Sequence, residues 1–105
     1  MKRNLFLILL LIPFLPDAQT KVNGIVTEQN SGNKPISGVQ IKVLGSSAEI
    51  TDNAGLFQLV FANKKPGDRI VVSEISKKGY EIVNKDVVNN WMITNNLNDK
   101  TKIVM

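Results

Sequence analysis

The side chains able to do chemistry in this chain are few in kind. Its 105 residues include no cysteine and no histidine. Thiolate nucleophiles, disulfides, iron–sulfur ligation, imidazole bases and the usual zinc sites are therefore excluded. Carboxylates, hydroxyls and lysines remain. Glu28, Asp52, Asp68, Glu74, Glu81 and Asp86 are scattered, and no spacing among them makes two carboxyl groups converge as paired acid–base catalysis requires. The expectation is a non-enzymatic chain without cofactor or metal. Asp52-Asn53 offers two oxygen donors where a calcium loop alternates several. Asp52 reads instead as a turn former whose carboxylate takes the backbone N–H of Ala54 or Gly55, with Gly55 supplying the positive φ that closes a hairpin before Leu56-Phe57.

Binding chemistry has two candidate seats. Trp91, flanked by Asn89, Asn90, Thr94, Asn95 and Asn96, reads either as an aromatic platform with amide donors for a sugar ring or as a plug in one end of the core. Lys77, Lys78 and Lys85 read either as partners for acidic glycans and phosphates or as solubilising, edge-protecting charges. Nucleic acid is not an expected partner: the lysines are dispersed, and Arg69 is the one arginine after residue 3, leaving little for bidentate base or phosphate contacts.

Before any of these residues can be positioned, the first eighteen have to be set apart. Lys2 and Arg3 precede the unbroken apolar run Leu5–Ile12, and Pro13-Phe14-Leu15-Pro16-Asp17-Ala18 leads to a small residue, the order of a secretory signal peptide cut after Ala18. As a helix, Leu5–Leu15 would reach only about 16 Å against a hydrocarbon core of about 30 Å, too short to span it. The expected division is a signal peptide over 1–18 and one domain over 19–105, with no transmembrane span in the mature chain. Losing Lys2, Arg3 and Asp17 leaves 11 basic and 8 acidic residues, a net charge of +3. Export places the domain in the periplasm, at the outer membrane or outside the cell, with an envelope protein or a glycan as partner.

In the remainder the dominant period is two. Val22-Gly24-Val26 alternate with Asn23, Ile25 and Thr27, Val39-Ile41-Val43 with Gln40 and Lys42, and Phe57-Leu59-Phe61 with Leu56, Gln58 and Val60, the period of half-buried strands. Ile70-Val71-Val72, Glu81-Ile82-Val83 and Lys102–Met105 add β-branched runs. Turn-forming clusters separate them: Asn30–Asn33, Gly45–Ser47, Asp52–Gly55, Lys65–Asp68 and Lys77–Gly79. Such spacing predicts an all-β, antiparallel sandwich. The expected core is Val22, Val26, Val39, Ile41, Val43, Ile50, Phe57, Leu59, Phe61, Ile70, Val72, Tyr80, Ile82 and Ile103. Gly24 within a strand leaves room for a large neighbour, Pro35 fixes φ, and Gly38 permits a bulge at the entry to the second strand. Residues 86–99, rich in asparagine, show no single period.

These residues carry a resemblance. Gly24–Glu28, Ser31–Gly45 with its Pro35-Ile36-Ser37-Gly38-Val39 centre, Thr51-Asp52-Asn53-Ala54-Gly55-Leu56-Phe57, Pro66-Gly67-Asp68 and Lys78-Gly79-Tyr80 occur in the order of the carboxypeptidase regulatory-like domain, covering nearly all of residues 20–83. The resemblance implies a transthyretin-like (prealbumin-like) Greek-key sandwich of about seven strands. It makes Gly24, Pro35, Gly38, Asp52, Gly55, Phe57, Gly79 and Tyr80 structural motif residues. It also implies a structural or protein-interaction module of Gram-negative envelopes, set ahead of a TonB-dependent outer-membrane receptor, a peptidase or tetratricopeptide repeats. The hydroxyisourate hydrolase among transthyretin-like sandwiches needs histidines, which this chain lacks.

Overall fold

A computed structural model describes residues 19–30, 32–95 and 99–105; the expected signal peptide lies outside the described residues. The chain forms β1 (Thr20–Thr27), β2 (Gln40–Val43), β3 (Glu49–Ile50), β4 (Leu56–Phe61), β5 (Val72–Ser76), a short helix α1 (Lys85–Asn89) and β6 (Lys100–Val104). The strands make two three-stranded sheets, ordered β4-β1-β6 and β3-β2-β5. The described residues are thus mostly extended, with one helix of five residues.

Alternation explains the shared core. In β1, Val22, Gly24 and Val26 turn inward; β4 contributes Phe57, Leu59 and Phe61, and β2 contributes Ile41 and Val43. β1 and β4 pair antiparallel with Gly24 opposite Phe57 and Val22 opposite Leu59, so the apolar positions of both strands meet on one face. Ile36, Val39, Ile70 and Ile103 close the interior. Gly24 is demanded by this packing: the Phe57 ring lies over its Cα, and a Cβ there would stand 2.1 Å from the ring carbon Cζ.

Several expectations need correction. The pairing is not wholly antiparallel: β6 runs parallel to β1, with Val26 opposite Ile103 and both side chains buried in the shared core. The described residues hold six strands, and Glu81-Ile82-Val83 is not one of them. That segment follows a turn in which the Tyr80 N–H donates to the Lys77 carbonyl at 3.0 Å, and it lies along β6 through one bond, from the Val83 N–H to the Val104 carbonyl at 2.7 Å. Of Ile70-Val71-Val72, only Val72 belongs to a strand; pairing slips at Lys42/Val43, leaves Ser73 without an opposite number, and continues to Ser76. Ile50, expected inside, is 63% exposed. Its strand is two residues long, and the buried place beside it is taken by Thr51, whose hydroxyl donates to the Ile36 carbonyl at 2.7 Å and accepts from the Val39 N–H at 2.9 Å. Val72, Tyr80 and Ile82 are half-buried against the core rather than in it. The interior also holds Ile36, Val88, Trp91, Ile93 and Met105, which the alternation did not point to.

Candidate functional site

The structure separates Trp91 from its neighbours. Trp91 is 3% exposed and packs edge-on against Phe57, ring centroids 6.0 Å apart and planes at 87°. Asn89 and Asn90 are exposed, and both are engaged. The Asn90 side chain donates to the Asp86 carbonyl at 2.9 Å, closing α1, and the Asn89 carbonyl accepts from the Arg69 guanidinium. The sugar platform is therefore corrected: an indole with no open face cannot stack on a ring in solution. The reason is visible in the backbone, where the Ile70 N–H donates to the Trp91 carbonyl and the Ile93 N–H to the Asp68 carbonyl, both at 2.9 Å. Those bonds draw the Trp91–Ile93 segment across the end of the core.

The motif residues build turns and contacts. One Asp52 carboxylate oxygen accepts from the N–H groups of Ala54 and Leu56, each at 2.9 Å; the second donor is Leu56 where the sequence suggested Gly55. Gly55 sits at φ +73°, and a Cβ on it would stand 2.5 Å from the Val26 carbonyl oxygen. Pro35 bridges to Thr27, and the Gly38 N–H, at φ +75°, donates to the Thr51 carbonyl at 3.0 Å. Among the described residues, no group of three or more acidic side chains could hold a metal ion.

One polar constellation joins distant parts of the chain. The Tyr80 hydroxyl donates to a Glu28 carboxylate oxygen at 2.8 Å. The Lys77 ammonium stands 5.7 Å over the Tyr80 ring centre and donates to the Ser37 carbonyl. Donation to an anionic acceptor favours the protonated phenol, so Glu28 holds Tyr80 above its ordinary pKa, with burial acting the same way. A recess of about 460 Å³ beside it is lined by Glu28, Gln29, Gly79, Tyr80, Glu81 and Val83 among others. Lys78 and Lys85 are exposed, and neither lies in a strand.

The sheet edges differ from one another, a feature no local pattern announced. Outward from β4, the Ser46 hydroxyl accepts from the Val60 N–H at 3.2 Å and the Leu56 carbonyl accepts from the Asp52 N–H at 3.0 Å. Outward from β6, the Asn84 amide spans two backbone groups, donating to the Lys102 carbonyl and accepting from the Val104 N–H, each at 2.8 Å. β3 is two residues long. β5 is the remaining edge, five residues with β2 as its one strand neighbour among the described residues. The Glu74 carboxylate on β5 accepts from the Ser76 hydroxyl at 2.6 Å and lies 3.5 Å from the Lys42 ammonium. Both contacts, the hydroxyl's first, hold its pKa below the ordinary value. Beside β5, the Leu44 N–H donates to the Val71 carbonyl at 2.9 Å, and these two apolar residues are 57% and 45% exposed.

No protein-family model matches the chain, and neither the curated proteins nor the solved structures contain a match. No helix among the described residues is long and apolar enough to cross a membrane.

Proposed function

We propose that this chain is an exported, non-enzymatic module of the carboxypeptidase regulatory-like kind, with a transthyretin-like Greek-key path, that serves as a protein-interaction domain in the cell envelope. Its partner is an extended segment of another envelope protein, added as a strand beside β5. The motif order from Gly24 to Tyr80 supports the family reading, and the two small sheets around one core agree with it at the level of fold class.

The unequal treatment of the edges carries the interaction reading. Exposed edge strands invite pairing with other chains, and proteins blunt those that must stay single. Here β4 and β6 are covered by Ser46 and Asn84, while β5 keeps an outward row of backbone donors and acceptors beside exposed Leu44 and Val71. Strand addition draws affinity from such main-chain groups and specificity from flanking side-chain contacts. A second copy is a poor occupant: antiparallel self-pairing centred on β5 sets Glu74 opposite Glu74, and directly opposed like charges destabilise a strand pair.

A photoactivatable side chain at Ser73, in the full chain exported by the cell that makes it, tests the proposal. The expected result is one dominant adduct whose cross-linked peptide maps to a single segment of one envelope protein. The same group placed at Asn53, in an exposed turn, should give none. Equal and diffuse labelling from the two positions would refute the interaction surface.

A further inference from the structure

We infer that the mature chain begins at Gln19 and that this residue closes on itself to form pyroglutamate. The inference rests on the export reading above, specifically on cleavage after Ala18, and adds a covalent modification to it. Once the leader is removed, the α-amine of Gln19 lies within reach of the Cδ carbonyl of its own side chain. The amine nitrogen attacks Cδ, the new N–Cδ bond closes a five-membered lactam, the bond from Cδ to the side-chain nitrogen breaks, and that nitrogen leaves as ammonia with the proton released by the amine. No oxidant, reductant or second substrate takes part.

The surroundings of Gln19 favour the reaction. Gln19 is exposed and is the residue immediately before β1. The following residue is fixed: Thr20 pairs with Phe61, and its hydroxyl donates to the Lys64 carbonyl. Gln19 itself makes no hydrogen bond among the described residues, so its side chain is free to fold back. The shallow hollow it borders is lined by Gly45, Ser46, Ser47, Val60 and Ala62. That lining contains no carboxylate to hold the terminal amine as ammonium. An α-amino group titrates near about 7.7–8.0, so an appreciable fraction is unprotonated and nucleophilic at neutral pH. The ring removes the terminal charge and leaves no free α-amine for an aminopeptidase to grip, protecting the end of β1 in a protease-containing compartment.

The test uses the whole 105-residue chain, exported from a bacterial host and recovered after prolonged incubation at neutral pH. Mass spectrometry then reads its N-terminal peptide. The expected peptide starts at residue 19, is lighter than the encoded sequence by one ammonia, and becomes sequenceable only after treatment with pyroglutamate aminopeptidase. Gln19→Ala, which has no side-chain amide, should keep a free amine and react fully with an amine label. A peptide starting at Gln19 with its amine still free would overturn cyclisation and leave export standing. A start elsewhere beyond the apolar run would overturn cyclisation and the cut after Ala18 while leaving export standing, and a start at Met1 would overturn both.

Discussion

Gly24 and Phe57 act as a single unit, since the ring of one occupies the space that any side chain on the other would need. Gly24→Ala forces the ring out of the core, and overpacking of this kind costs about 1–3 kcal/mol. The shift in urea midpoint measures it. Phe57→Leu in the same chain should recover part of the loss, so the two changes are non-additive; strictly additive effects would mean that the ring does not fill this space. Tyr80 makes a second residue-scale case. As the chain's one tyrosine, it can be followed alone by ultraviolet titration. Its folded pKa is raised, so the contribution of the Glu28–Tyr80 bond to stability is complete below the free phenol's value of 10.0 and is lost as pH climbs through the higher folded value. Glu28→Gln removes the anionic acceptor and should bring the titration back toward the free value. An unchanged titration in that variant would show that Glu28 does not set it.

Among the elements, legibility followed locality. The alternating apolar runs of β1, β2 and β4 were readable because period two is a property of each strand alone. The start of β5 is not legible because Ile70-Val71-Val72 is richer in β-branched residues than the Glu74-Ile75-Ser76 that, with Val72, pairs with β2, and tertiary pairing overrides that propensity. The parallel register of β6 depends on where the chain returns, which no window of sequence contains. Asn84 was unreadable for the same reason: an asparagine between valine and lysine has no mark until its amide is set against Lys102 and Val104. Asn84→Ala removes both bonds, each worth about 0.5–1.5 kcal/mol net. The fold should survive, with faster hydrogen exchange at the Val104 amide and little change at Val60, whose cover is Ser46. Exchange accelerating equally at both amides would show global loosening and remove the claim that the edge is covered locally.

Across the whole molecule, the two sheets share one interior, and the segment from Asp86 to Ile93 seals an end of it. Val88, Trp91 and Ile93 reach inward at spacings of three and then two, because the chain passes from α1 into an extended stretch. Neither a helical nor a strand period runs through it, so the sequence leaves both a plug and a platform open for Trp91. Its burial makes the single tryptophan of the chain a reporter on the core. Emission from the folded protein should be blue-shifted, resistant to quenching by iodide, and unmoved by added polysaccharides. Trp91→Ala should cost about 3–5 kcal/mol, as large aromatic truncations in cores do, because Phe57 loses its edge-on neighbour and a large cavity opens at that end. Phe57 also bears on Gly24, so the loss reaches the β1–β4 pairing and not just the capping segment. The stability deficit in denaturant and the accessibility of the indole to iodide therefore test the same arrangement from two sides. Rapid quenching in the native protein, with little destabilisation in the alanine variant, would place the indole at the surface and undo the account of how this end of the core is closed.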